Sequence, residues 1–341
     1  MTAVARRVRE APWFPAALAC CILWIVVFWL APVVRYDIVT ANVAIASYLA
    51  LVGIGQMFPI ASGGGGIDLS IPFVINFASF NAVGQVGSSP GSLMTAFAIA
   101  LGFGALVGMV NGFVVVALRI PPIIGTLAVG FIVLTVVQLQ SGASDSSSFA
   151  DPVLVDFTRG TSLGVPNIFY VVVACALAAG FLLHRTRYGR HLLAVGQSPR
   201  ASSLAGIHVR RTVFFAYVTS GVFAAFAGTL LTGSVGSADL ELGNPYLLAS
   251  VGAVVLGGNL VSGGMATVAG TVLGALLLTL LVSAVTLTGI DLGFQNVARG
   301  AVITLVLLAA RPNGADGSFG LWLRSLWPSP HAQRTDDGRM L

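Results

Sequence analysis

The residues able to do chemistry are few, and the densest group lies at Ser62-Gly63-Gly64-Gly65-Gly66-Ile67-Asp68-Leu69-Ser70. Each glycine costs a helix about 1 kcal/mol against alanine, so four in a row predict a break. Asp68 or Ser70 can cap the helix that restarts after it. In an apolar setting such a break must face protein or a wet path, because lipid cannot satisfy free backbone groups. Asp68 has no cation nearby in sequence, which argues for a wet position. A short loop with an ordinary cap is the other reading. Beyond the break, Phe73, Phe77 and Phe80 share one helical face, and Asn76, Asn81 and Gln85 add amides. Aromatic faces with amides suit a neutral polyhydroxyl solute; lipid-facing rings with amides bonded between helices fit as well. Asn111 and Thr126 are polar residues in apolar surroundings, either packing contacts or groups lining a path. Arg299 falls within an apolar run, where a charge is a functional candidate unless it reaches the interface.

Other chemistries are excluded. All 17 basic residues are arginine. Without lysine there is no P-loop for ATP and no Schiff base. Cys20, Cys21 and Cys175 sit in apolar runs with no Cys-x-x-Cys spacing, and read as small apolar side chains. His184, His191, His208 and His331 lack paired carboxylates. No metal site, cofactor or enzymatic activity is expected of the chain itself. The net charge of +5 does not point to nucleic acid, because its distribution follows a different logic.

The elements that must carry these residues are membrane helices. The chain is 56% hydrophobic and 9% charged, against about 25% charged in a soluble domain. Apolar runs near the ~20 residues that cross a bilayer fall at Trp13–Val34, Asn42–Ser62, Ile67–Val86, Ser92–Leu118, Pro121–Leu139, Pro166–His184, Thr212–Gly233, Tyr246–Leu260, Met265–Thr288 and Phe294–Ala310. The expected fold is an all-α polytopic membrane protein of about ten helices. A tail at 1–12, a membrane domain at 13–310 and a tail at 311–341 complete it. With residue 1 inside, the inner segments hold Arg6, Arg7, Arg9, Arg119, Arg185, Arg187, Arg190, Arg200, Arg210, Arg211, Arg311, Arg324, Arg334 and Arg339, and the outer ones only Arg35 and Arg159. That bias places both termini in the cytoplasm. Ten spans split five and five, so halves of shared fold would be inverted repeats. The glycine clusters Gly63–Gly66 and Gly257-Gly258 with Gly263-Gly264 hint at such a repeat.

The largest inner loop spans 185–211. Within it Ser198-Pro199-Arg200-Ala201-Ser202-Ser203-Leu204-Ala205-Gly206 reads as one short helix. Ser198 is a good N-cap, Pro199 suits the first helical position and Gly206 suits the stop. A capped helix among arginines can be a docking peg for a soluble partner or a loop lying on headgroups.

Four ordered segments resemble the permease subunit of monosaccharide ABC importers of the ribose, xylose and galactose type, over roughly residues 40–310. Gly65-Gly66-Ile67-Asp68-Leu69-Ser70 is similar to the family's Gly-Gly-Ile-Asp-Leu-Ser signature. Ala194-Val195-Gly196, continuing through Ala201 to Ala205-Gly206-Ile207, resembles its coupling segment. Ala253-Val254-Val255-Leu256-Gly257-Gly258 with Gly263-Gly264 resembles its second glycine motif, and Gln295 with Arg299-Gly300 fits its last span. The resemblance implies an importer in a bacterial inner membrane, with a second permease copy or homologue, a cytoplasmic ABC ATPase that uses the ATP, and an extracytoplasmic solute-binding protein. Asp68, Ser70, Phe73, Asn76, Phe77, Phe80, Asn81, Asn111, Thr126 and Gln295 are then the candidates for the path of a sugar-like solute. Ser198, Pro199, Arg200, Ala201, Leu204, Ala205 and Gly206 are the candidates for ATPase coupling. The sequence departs from the family at Ile71-Pro72-Phe73, where Val-Gly-Ser is usual, at Leu247 and Ala249, where an acidic pair is frequent, and at Arg200 and Ser203. The competing class is an ion-coupled secondary transporter, which needs intramembrane ionisable sites; only Asp68 and Arg299 qualify.

Overall fold

The computed structural model describes residues 13–31, 36–84, 92–143, 149–289 and the single positions 293, 297, 300 and 301. In chain order these form α1 (Phe14–Leu30), α2 (Tyr36–Ala61), α3 (Ile71–Gly84), α4 (Ser92–Val116), α5 (Pro122–Ala143), α6 (Pro152–Arg159), a hairpin of β1 (Thr161–Ser162) and β2 (Val165–Pro166), then α7 (Asn167–Arg185), α8 (Arg187–Gln197), α9 (Pro199–Leu204), α10 (Val209–Val235), α11 (Tyr246–Leu256) and α12 (Val268–Leu287). Six of them, α2, α4, α5, α7, α10 and α12, are long and apolar enough to cross a membrane. The apolar helices α1, α3 and α11 are shorter. The chain is thus a multi-pass all-α membrane protein. Nine of the ten expected runs have a helix among the described residues. The tenth, Phe294–Ala310, lies almost wholly outside them, as do Gln85, Gln295, Arg299 and both tails.

Glycine explains why α3 and α11 are short. Gly63, Gly64 and Gly65 before α3 have φ of 78°, 64° and 73°, and Gly258, Gly263 and Gly264 after α11 have 81°, 86° and 80°. Only glycine takes that left-handed backbone readily, so the helix cannot run through.

Small residues also set the packing. On α4 the period-four stripe Ala96, Ala100, Gly104, Gly108 and Gly112 is buried, and α10 lies along it. A Cβ on Gly104 would stand 2.3 Å from the Gly221 carbonyl oxygen, and one on Gly221 2.1 Å from that of Gly104. The two backbones touch, the arrangement that van der Waals packing in lipid favours. Similarly, a Cβ on Gly257 of the second join would meet the Gly270 carbonyl at 2.2 Å, bringing α11 and α12 together. Leu18, Ile22, Ile25 and Trp29 on α1 are exposed, as expected of a lipid face. The cysteines are free; Cys20 is buried and Cys175 partly so, but Cys21 is exposed, unlike the expected set of three buried side chains.

Contacts across the molecule follow an exchange: α3 and α4 pack on α10, α11 and α12 pack on α2, and α2 packs on α10. Ala61, the last residue of α2, accepts a hydrogen bond from Gly264 N at 3.0 Å. It also abuts Gly196 at the end of α8, close in the chain to the start of α10. The long helices α2 and α10 are therefore antiparallel. The two glycine joins occupy one end of the bundle, where a Cβ on Gly263 would be 2.4 Å from Gly63 Cα. Inverted equivalents at an end of the bundle must lie at opposite ends, so the glycine clusters are not a repeat pair. A different pair fits. Asp68 Oδ1 accepts from Ser70 N at 3.0 Å, and Asp239 Oδ1 accepts from Glu241 N at 2.8 Å. Each Asp-Leu-X turn follows a long helix (α2, α10) and precedes a short one (α3, α11), and the two meet inside the bundle, where a Cβ on Gly243 would stand 2.1 Å from the Pro72 carbonyl oxygen.

At the end away from α9, α6 is capped by Asp151, whose Oδ1 accepts from Val153 N at 2.8 Å. Its Leu154 and Thr158 meet Gly233 of α10, while Val153 and Phe157 stay exposed. Arg159 donates to the Ser234 and Val235 carbonyls at 2.9 and 2.7 Å, closing the C-terminus of α10.

Candidate functional site

The break at 62–70 leaves backbone groups that the membrane cannot satisfy; side chains from two helices supply partners for them, and side chains from two more bind the Asp68 carboxylate. From α2, the Gln56 amide, in the orientation that satisfies both its atoms, accepts from Asp68 N at 3.1 Å and donates to Asp68 O at 3.2 Å. From α5, Thr126 Oγ1 accepts from Leu69 N at 2.9 Å. Around the Asp68 carboxylate, Oδ1 accepts from Ser70 N, from Ser70 Oγ at 2.7 Å and from Asn111 Nδ2 of α4 at 3.3 Å. Oδ2 accepts from Ser220 Oγ of α10 at 2.7 Å. Asn111 Nδ2 also donates to Ser70 Oγ at 2.7 Å. Asp68 is 1% exposed. The sequence argued for water around this carboxylate because it lacks a cation; the structure surrounds it instead with neutral donors, the other way to stabilise a buried charge. The joint is therefore a clamp: one carboxylate and one broken strand of backbone hold α2, α4, α5 and α10 together.

Among the other path candidates, Phe77 stacks on Phe103 of α4, with ring centroids 3.5 Å apart. Phe73 tilts against Phe131 of α5 at 5.7 Å. Asn76 Nδ2 donates to Leu240 O at 2.5 Å, and its Oδ1 accepts from Gly243 N at 2.7 Å. Asn81 Nδ2 donates to Ala96 O at 2.8 Å. Ser70, Asn76, Phe77, Asn81, Asn111 and Thr126 are all buried, while Phe73 and Phe80 are partly exposed. Asp68, Ser70, Asn111 and Thr126 come together at the clamp, whereas Asn76 and Asn81 bind separate backbone segments. Gln295 lies outside the described residues. Sequence reasoning missed Gln56, whose signal was a lone polar residue in an apolar run, and Ser220, which follows Thr219 in another. It also missed a cleft of about 390 Å³ between α2, α11 and α12, lined by Asn42, Tyr246, Thr279, Ser283 and Thr286 among others.

The second group is at the α9 end. Ser198 Oγ accepts from Ala201 N at 3.2 Å, Pro199 opens the helix, and Gly206 stops it with φ of 80°. Sequence chemistry thus set both boundaries. Pro199, Arg200, Ala201, Ala205 and Gly206 are exposed, and Leu204 is 85% exposed. Ser202, not singled out from sequence, is buried and anchors the turn. The peg hangs from α8, a helix the sequence had left as loop. Thr186 caps α8, its Oγ1 accepting from Gly189 N at 3.2 Å, and Gly189, Leu192 and Val195 form its buried face. A hollow of about 910 Å³ beside α9 is lined by Arg200, Ser203, His208, Arg210 and Arg211 among others.

Comparison with known proteins bears on what this arrangement serves. Residues 38–310 match the family described as "Branched-chain amino acid transport system / permease component". The ribose import permease protein of Escherichia coli (strain K12) is 32% identical over 269 residues, covering 76% of this chain and 81% of that protein. The galactose/methyl galactoside import permease protein of the same strain is 34% identical over 212 residues, 60% of this chain and 63% of that protein. The autoinducer 2 import system permease protein of Photorhabdus laumondii is 27% identical over 301 residues, 87% of this chain and 90% of that protein. No solved structure matches the chain.

Proposed function

The chain belongs to the family of branched-chain amino acid transport system / permease components, and from that premise we propose that it imports a sugar-like solute across the inner membrane of a bacterium. It is the membrane-spanning pore subunit of an ATP-binding-cassette importer. ATP is bound and hydrolysed by a separate ATPase, which seats α9. An extracytoplasmic binding protein delivers the solute, and a second permease copy or homologue completes the pore. The α9 end is cytoplasmic, in keeping with fourteen arginines in the inner segments against two in the outer ones. Ten spans form two inverted halves of five; the exchanged packing of α3 and α4 on α10 against α11 and α12 on α2, and the paired Asp68 and Asp239 turns, support that reading. Sugar as the solute class rests on the ribose and galactose permeases among the similar proteins.

The observation that carries the ATP-driven mechanism is α9: a helix capped at both ends, fixed to the bundle through α8, presenting Leu204 at 85% exposure. Closure of paired ATPases displaces the two pegs, and the bundle alternates between outward and inward openings. The clamp at Asp68 stays intact and keeps the break from unravelling as the helices move. Leu204→Asp tests the docking. An exposed residue contributes little to folding, within about 0.5 kcal/mol, whereas a charge in an apolar docking cleft costs about 2 kcal/mol or more. The variant is expected to fold as the wild type and to lose the ATPase on co-purification. Undiminished co-purification overturns the assignment of α9.

A further inference from the structure

Three chain segments meet at the α9 end, backbone against backbone at Gly63, Gly196 and Gly263, with the Gln197 side chain laid on Gly264. A Cβ on Gly196 would lie 2.1 Å from Ala61 O and 2.3 Å from Gly264 N. A Cβ on Gly263 would lie 2.4 Å from Gly63 Cα, and one on Gly264 2.5 Å from Gln197 Cγ. Two hydrogen bonds lock the contact: Gly264 N donates to Ala61 O at 3.0 Å, and Gln197 Nε2 donates to Gly264 O at 3.2 Å. Ser198, the next residue, closes α8 by donating its N–H to Ala194 O at 3.1 Å and caps α9 with its hydroxyl.

We infer that Gly63, Gly196, Gln197 and Gly263-Gly264 form a backbone junction that passes movement of the α9 peg to both membrane breaks at once. The junction deepens the importer reading and rests on it. One residue separates the peg from the junction, so a displacement of α9 has no slack chain in which to dissipate. On the far side, Gly63 leads into the break that α3 follows, and Gly264 into the join between α11 and α12. A single push thus reaches α3 in one half and α11 and α12 in the other. Where backbone meets backbone, at Gly63, Gly196 and Gly263, the transmission is stiff, because no rotamer change can absorb it there. The glycines are positioning residues: they touch neither ATP nor solute.

The test is a coupling ratio, measured on the complex of permease, ATPase and binding protein in proteoliposomes loaded with ATP. Gly196→Ala inserts a methyl group into backbone that cannot give way, and leaves the exposed face of α9 unchanged. The ATPase is expected to co-purify and hydrolyse ATP, while the ATP consumed per solute imported rises at least about threefold. Gly180→Ala on α7, where the added Cβ meets nothing within 4 Å, is expected to leave the ratio unchanged. Gln197→Ala removes the bond to Gly264 without adding bulk, so it folds even where Gly196→Ala does not; its ratio is expected to rise in the same direction. An unchanged ratio in Gln197→Ala, or in an assembled Gly196→Ala, overturns the junction. Wild-type uptake that proceeds without ATP overturns the importer reading instead, so the two failures are distinguishable.

Discussion

Asp68 brings a carboxyl group into a place with 1% exposure and no cation bonded to it. Such a group is tolerated because Ser70, Asn111 and Ser220 donate to it, and it in turn satisfies their hydrogens. Asp68→Ala strands those donors in the bundle interior. The expected loss is about 3 kcal/mol of stability, read as a lower unfolding temperature and lower yield in detergent. Asp68→Asn keeps the shape but places N–H groups against donors, and is expected to fall between the two. A wild-type unfolding temperature for Asp68→Ala would show that the clamp holds nothing. The sequence made the break legible, since four glycines have one physical meaning inside an apolar run. It did not make the clamp legible. Gln56, Asn111, Thr126 and Ser220 stand in four different helices, and hydrogen bonds between distant segments leave no spacing to read.

Helices show the same division. Ser198, Pro199 and Gly206 gave α9 both of its ends, because capping is local chemistry. The helix before it, α8, stayed hidden: its buried Gly189, Leu192 and Val195 are few among arginines and histidine. The α4–α10 contact was within reach, since Ala96, Ala100, Gly104, Gly108 and Gly112 recur every four residues. Gly221→Ala and Gly102→Ala separate propensity from packing. In an isolated helix both gain up to about 1 kcal/mol. At Gly221 the new Cβ would lie 2.1 Å from the Gly104 carbonyl, whereas at Gly102 it meets nothing within 4 Å. Gly221→Ala is therefore expected to lose about 1–3 kcal/mol as the helices separate, and Gly102→Ala to be neutral or slightly stabilised. Denaturant titration in detergent measures both. Equal effects would mean that the α4–α10 backbones do not touch.

Across the whole molecule, composition alone indicated lipid, and the proposed orientation rests on arginine placement. The glycine clusters misled on symmetry because a local motif was compared without knowing which end of the bundle it occupied. The antiparallel run of α2 and α10 resolves this: Gly63 and Gly263 meet at one end, while the Asp68 and Asp239 turns each follow one of the two antiparallel helices and meet inside the bundle through Pro72 and Gly243. In the proposed reading the energy comes from a separate ATPase, in keeping with the lack of a lysine for a P-loop and with a buried carboxylate, the one among the described residues, that is already bonded to four donors. The most direct measurement is uptake of labelled monosaccharides into proteoliposomes, with and without the ATPase and internal ATP, in the presence of an ionophore that collapses ion gradients. Uptake that needs both ATPase and ATP and ignores the ionophore is the expected result. Uptake by this polypeptide alone, abolished by the ionophore and indifferent to ATP, would contradict it.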